Sequence, residues 1–225
     1  MKIPVLTYHS ISDTDNFSSV SIENFDKQML FMKNRGFQTY DFESTDSKKF
    51  IITFDDGYED VFNNALPILL KYGFKAICFF VTDFIGKDNK WDIGHKNYNK
   101  LNIMSKNQIQ EWISSGMSIG SHTYEHKNLK KLTTSEKKFQ IVEPINFFIK
   151  NFNINPIFFS YPFGSYDHEC LKIVKTFYKY AFTTKRGRYN LLKLNNLEIP
   201  RIPVNKKDSL FKFFLKTHTF YEDIK

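Results

Sequence analysis

Asp55 and Asp56 stand side by side in Ile52-Thr53-Phe54-Asp55-Asp56-Gly57-Tyr58, where an apolar run ends. Adjacent carboxylates repel each other, so a chain that exposes both gives them different jobs. One can hold a metal ion while the other stays free to move protons. His122 and His126 lie four residues apart in Ser121-His122-Thr123-Tyr124-Glu125-His126, spacing that fits one side of a tight turn or a helix start. With Asp56 they make two histidines and one carboxylate, a divalent-metal set that leaves positions open for water and substrate. Such an ion acidifies its water and polarises a carbonyl, and Asp55, next door but not a ligand, is placed to take the water's proton. Histidines at this spacing are more often surface or capping residues. The Asp-Asp pair and the placement of Asp55, Asp56 and His122 at strand ends argue for the metal.

The elements that must position these groups follow from periodicity. Strand-like apolar runs recur over 3–8, 50–54, 76–81, 117–121, 157–161, 180–183 and 198–203. Helical patterns separate most of them: 22–35 after Ser21, 65–72 with Pro67 in its first turn, and 109–115 after a Ser105/Gln108 capping box. A long helix follows a Thr133/Glu136 box to about residue 151, with a kink expected at Pro144. Helices over 168–178 and 209–218 complete the set. Alternating strand and helix predicts an α/β fold, a distorted or incomplete (β/α) barrel of about seven parallel strands. His9, Asp55, Asp56, His122, the Tyr161-Pro162 pair and Arg201 all fall at the C-terminal ends of predicted strands. In such barrels that end carries the active site, because the βα loops converge there.

The 225 residues read as one domain, with 205–225 a C-terminal helical tail and 82–104, containing Trp91 and His95, a surface insertion. Hydrophobic residues at 41% and charged ones at 25% describe a globular chain rather than a disordered one. The net charge of +8 favours anionic partners, but the basic residues are scattered in twos and threes, which argues against nucleic acid. Two cysteines provide neither a disulfide framework nor a zinc knuckle. The N-terminus runs straight into strand-like sequence with no long apolar leader, and no run reaches the ~18 apolar residues a membrane span needs. The expected location is therefore cytoplasmic. The Phe-rich 210–220 segment offers peripheral contact with the inner face of the membrane, although a helix packed on the barrel has the same pattern.

Taken together, the motifs resemble the polysaccharide deacetylase family, the NodB-type carbohydrate esterases of family 4. The first motif is Thr53-Phe54-Asp55-Asp56-Gly57 and the second is Ser121-His122-Thr123-Tyr124-Glu125-His126. The third is present in altered form as Ser160-Tyr161-Pro162-Phe163-Gly164. Leu6-Thr7-Tyr8-His9-Ser10 and the segment 21–36 are similar to the circularly permuted branch that acts on poly-N-acetylglucosamine. The resemblance spans roughly residues 3–204. It implies hydrolysis of an N-acetyl group from an amino sugar, with Asp55 as general base and Asp56, His122 and His126 as metal ligands. It also implies His9 as the acid that protonates the departing amine, and the backbone N–H of Phe163 as a partner for the oxyanion. Zinc is the expected ion, and cobalt, nickel or iron suit the same ligands.

Departures from the family pattern are informative. Ser160 stands where the third motif has an arginine that orients the catalytic aspartate. Arg201, at another strand end, is the candidate replacement, with a barrel-rim salt bridge the equal alternative. No Leu-x-His motif occurs near the C-terminus, as expected if His9 has that role, and His218 has the wrong spacing. The acceptor is expected to be an N-acetylhexosamine in a glycan or a lipid-linked precursor of surface polysaccharide or lipopolysaccharide. An exported poly-N-acetylglucosamine or peptidoglycan deacetylase is the alternative. Two weaker readings are a non-catalytic sugar-binding protein, whose signature would be loss of a site residue, and an inverted zincin with Glu125 as base in His122-x-x-Glu125-His126. Tyr8, Tyr161, Phe163 and Trp91 could stack on a sugar ring or fill the core. Lys185, Arg186 and Arg188 could meet a phosphate or form a solvated loop.

Overall fold

Seven parallel strands close on themselves. They are β1 (Val5–Tyr8), β2 (Lys49–Phe54), β3 (Ile77–Phe80), β4 (Ser118–Ser121), β5 (Phe158–Ser160), β6 (Tyr180–Arg186) and β7 (Ile199–Pro203). Each pairs with its neighbours in sequence, and β7 returns to β1 through Ile202 opposite Leu6 and Pro203 opposite Thr7. The computed structural model describes residues 2–14, 18–40, 42, 48–94, 98–192 and 195–224. His95 of the expected insertion lies outside the described residues. All seven expected strands are present, and the barrel they form is closed rather than incomplete.

Among the described residues six α-helices surround the barrel: α1 (Ile22–Asn34), α2 (Leu66–Tyr72), α3 (Lys106–Ser114), α4 (Thr134–Phe152), α5 (His168–Phe177) and α6 (Leu210–His218). Ser21, Ser105, Thr133, Asp167 and Ser209 cap their first turns through side-chain oxygens, satisfying amides that a helix start leaves bare. The capping boxes expected at Ser105/Gln108 and Thr133/Glu136 both form. The element before β3 begins earlier than expected, because a π-helical turn, Val61–Ala65, precedes α2.

Strand parity decides what faces the barrel axis. Val5, Ile51, Ile77, Phe79, Phe158, Phe182 and Ile199 form one apolar cluster, while Leu6, Ile52, Phe54, Cys78, Phe80 and Ile202 pack into a second. Successive side chains alternate between the two sides. Continuing the first set two residues at a time gives Thr7 on β1 and His9 just past it, Thr53 on β2 and Asp55 just past it, and Arg201 on β7. The barrel is therefore apolar at its base and polar at its C-terminal mouth. The tail is mostly docked over its described residues, 205–224: Phe213 of α6 is fully buried, edge-on to Phe31 of α1, and the buried Lys216 amine bonds Asp208 and the Pro203 carbonyl.

Candidate active site

Asp55 and Asp56 directly follow β2 and are 4% and 6% exposed, so each needs compensation for a buried charge. Asp55 receives it from protein. Arg201 Nη1 donates to Asp55 Oδ1 at 2.8 Å and Nη2 donates to Oδ2 at 2.7 Å. The guanidinium is itself fixed by Nε donating to the Thr183 carbonyl at 3.0 Å and Nη2 to Ser160 Oγ at 3.1 Å. Burial alone would raise the Asp55 carboxyl, but the charge and bonds of Arg201, helped by His122 and His9, hold it well below the usual carboxylate range. The position where the family has an arginine is thus a serine hydroxyl bound to the same guanidinium. Arg201 reaches Asp55 from β7 instead.

Asp56 has different surroundings. Its Oδ1 is buried with no hydrogen-bond partner and lies 3.6 Å from His122 Nε2 and 3.4 Å from His126 Nε2. Burial and then the charges of Asp55 and Asp92 push its carboxyl up, while Tyr58 bonds it and opposes this. One ligand atom from each of Asp56, His122 and His126 falls within 4.8 Å of the others. His122 Nδ1 meets the Ser160 carbonyl at 2.8 Å, so the hydrogen belongs on Nδ1 and the Nε2 lone pair faces Asp56. Burial pushes the His122 imidazole down to about 4, which keeps it neutral and able to ligate at neutral pH. The residues fit a divalent ion: the chemistry of the donor set is right, and an orphaned buried carboxylate oxygen faces two imidazole nitrogens.

Backbone strain concentrates here. Among the described residues, seven other than glycine have positive φ, and four of them are Asp56, Thr123, His126 and Phe163. Gly57 is required beside them, since a Cβ there would lie 2.4 Å from the Phe80 ring at φ +75°. The loop after β4 that carries both histidines is not helical, so the inverted-zincin geometry is absent. Glu125 instead accepts from Gln140 Nε2 at 2.6 Å and pairs with Lys127 at 2.8 Å. Gln140 grips the same loop twice more. Its Oε1 accepts from the Glu125 amide at 2.9 Å and its carbonyl accepts from the Tyr124 amide at 3.1 Å. That carbonyl is available because Pro144, one turn on, has no N–H to give it. The proline expected to kink α4 sits within a helix running from Thr134 to Phe152 and frees an acceptor for the loop that carries His122 and His126.

A cavity of about 700 Å³ opens over this centre, lined among others by His9, Phe163, Asp92 and Arg186. His9 follows β1 and is partly exposed to the cavity. Burial lowers its pKa, Asp55 and Asp92 raise it, and Arg201 lowers it further. Phe163 is 53% exposed, in the turn Pro162–Gly164, with its ring 4.7 Å from that of His126. The Trp91 ring lies 5.2 Å from the same imidazole. Tyr8 is core, its hydroxyl donating to Gln28, and Tyr161 is buried with one edge on the cavity. Lys185 pairs with Glu198, Arg188 with Asp223 and Arg186 with the buried Glu222 at 3.6 Å, and of the three Arg186 lines the cavity. Asp92, Tyr58 and Gln140 were not legible as site residues. Tyr58 directly follows the first motif, but no spacing ties Asp92 or Gln140 to it.

Comparison with known proteins agrees with this geometry. The family model for polysaccharide deacetylase matches residues 42–181. The Bacillus subtilis protein YxkH is 36% identical over 197 residues, covering 83% of this chain and 66% of its own length. The chain thus spans just under two thirds of that relative. The poly-β-1,6-N-acetyl-D-glucosamine N-deacetylase of Staphylococcus aureus is 26% identical over 228 residues, covering 93% of this chain and 74% of its own. The structure of the Streptococcus pyogenes deacetylase PplD in complex with acetate superposes with a TM-score of 0.83 at 26% identity, over 97% of this chain and 99% of that one. By sequence, by fold and by the residues gathered at the barrel mouth, this chain belongs to the polysaccharide deacetylase family.

Proposed function

We propose that this protein is a metal-dependent deacetylase that removes the N-acetyl group of an amino sugar within a glycan. One observation carries the reading. Two adjacent buried aspartates are treated oppositely: Asp55 is neutralised by Arg201, and Asp56 faces two imidazole nitrogens. A divalent ion held by Asp56, His122 and His126, zinc by first expectation, would acidify water and polarise the amide carbonyl. Asp55 takes the proton of the attacking water, and Arg201 keeps the carboxylate aimed and ionised. His9 gives a proton to the amide nitrogen as the C–N bond breaks, so that the products are acetate and a free amine. The Phe163 amide, in a turn at the cavity wall, is assigned to the developing oxyanion.

For the acceptor we favour N-acetylglucosamine in a β-linked polymer, a reading supported by the name of the S. aureus relative. A lipid-linked precursor at the cytoplasmic face of the membrane is the second reading. The exposed Phe211, Phe220 and Ile224 of the C-terminal segment favour it. Acetate release measured across soluble, polymeric and lipid-linked N-acetylated sugars, with bound metal quantified, tests both. Stoichiometric metal without acetate from any of them would leave a sugar-binding protein. Cell fractionation tests the location.

A further inference from the structure

We propose that Asp60 is a positioning residue for His9, holding the acid at a fixed place relative to Asp55 and Asp56. The inference rests on the reading of His9 as the group that protonates the leaving amine. His9 lies just beyond the end of β1, and the next element along the chain is slight: Ser10–Ile11 pairs with Ser19–Val20 in a ladder of two residues. So short a pairing is a weak anchor on its own.

Asp60 supplies the rest. Its Oδ2 accepts from Ser10 Oγ at 2.6 Å and its Oδ1 accepts from the Ile11 amide at 3.0 Å. Asn64 Nδ2 then donates to the Ile11 carbonyl at 2.7 Å. Both backbone polar groups of Ile11 are thereby held by side chains of the segment just after Asp55-Asp56-Gly57. Ser10 and Ile11 are fully buried and Asp60 and Asn64 partly so, which shields these bonds in part from competing water.

Asp60 directly precedes the π turn Val61–Ala65 with a helical backbone of its own, and its carboxylate bonds the Ser10–Ile11 segment that follows His9. An extra residue in a helical turn re-aims the side chains beside it, and π turns recur at functional sites for that reason. The charges that act on His9 are those of Asp55, Arg201 and Asp92. Asp60 works through the backbone. It stands five residues from Asp55, so base, metal ligand and acid share one short rigid connection.

The test separates protonation of the leaving group from everything else. Amide cleavage of a β-1,6-linked N-acetylglucosamine oligomer requires the acid, whereas 4-nitrophenyl acetate releases a phenolate that needs no proton. D60A should lower kcat on the oligomer by about 10²-fold, the effect of a misplacement near 1 Å. It should leave ester hydrolysis and metal content close to wild type. D60N should recover most of the loss, because an amide side chain can accept from Ile11 and donate to Ser10. D60A combined with H9A should be no worse than H9A alone. If D60A proves unfolded, S10A and N64A carry the same prediction with a smaller loss. Equal loss on both substrates, loss of metal, or penalties that multiply with H9A would overturn the proposal. An H9A variant that still cleaves the amide overturns the reading of His9 and this proposal with it. H9A selectively defective beside an unaffected D60A overturns the positioning role alone.

Discussion

Arg201 and Asp55, 146 residues apart in the chain, meet in a two-bond clamp with N–O distances of 2.8 and 2.7 Å. Closing the barrel brings them together, since β7 must pair with β1 and β1 with β2 before the guanidinium reaches the carboxylate. Replacing Arg201 by Ala leaves a buried aspartate uncompensated. Breaking such a pair costs about 3–5 kcal/mol. Urea or thermal unfolding of R201A should show that loss, and acetate release should fall with it. Lysine, lacking the planar fork, should restore only part of both.

Asp55→Asn keeps the shape of the carboxylate and removes its basicity. Bound metal should remain at the wild-type level while turnover falls by about 10²–10⁴-fold, the usual contribution of a positioned base. Metal analysis alongside an acetate assay decides it, and an active D55N would assign the base elsewhere.

His126→Asn should lose metal and activity together, and a chelator should do the same to the wild-type protein, with zinc restoring turnover in the latter case only. Thermal stability should rise on adding metal to the wild type and not to H126N, because an ion that binds only the folded state stabilises it by mass action.

Glu125→Gln should be nearly silent. Glu125 bonds Gln140 and Lys127 outside the Asp56, His122 and His126 cluster, so its loss belongs with ordinary surface changes of about ±0.5 kcal/mol. Activity loss on the scale of D55N would revive a protease-like assignment of the base.

Stability should depend on pH through Asp167, which caps α5 and bonds the Lys137 amine at 2.7 Å. That bond and the Cys170 amide hold the Asp167 carboxyl well below its ordinary value of 3.8. A depressed folded-state pKa adds stability that is fully present above the unfolded value and disappears as pH falls toward the folded one. The melting temperature should therefore drop from about pH 5 downward. D167N, which can still cap, should show a shallower slope, and identical slopes would contradict the assignment.

Much of the site was legible because it obeys local rules. His9, Asp55, Asp56 and His122 follow strand ends, and alternation along β1, β2 and β7 puts Thr7 and His9, Thr53 and Asp55, and Arg201 on the same side of the wall. The role of Arg201 could be named only as one of two alternatives, because the choice depends on barrel closure rather than on any neighbour in sequence. His9 and Arg201 also fall outside the segment 42–181 that the family model matches. Asp60 and Gln140 were invisible for a related reason: each bonds an element far from its own, and neither stands in a motif. Pro144 reads from sequence only as a kink, since the partner of the carbonyl it frees comes from another loop.

The carbonyl of Gln140, released by Pro144 and taken up by the Tyr124 amide, couples an outer helix to the loop that carries His122 and His126. Slow solvent exchange of the Tyr124 and Glu125 amides would then require the middle of α4 to stay formed. Occupancy of the Asp56 centre would be felt on the far side of that loop, as slower opening of α4 around residue 140. A helix that gives up one of its own bonds in this way makes its breathing a reporter of what the barrel mouth holds.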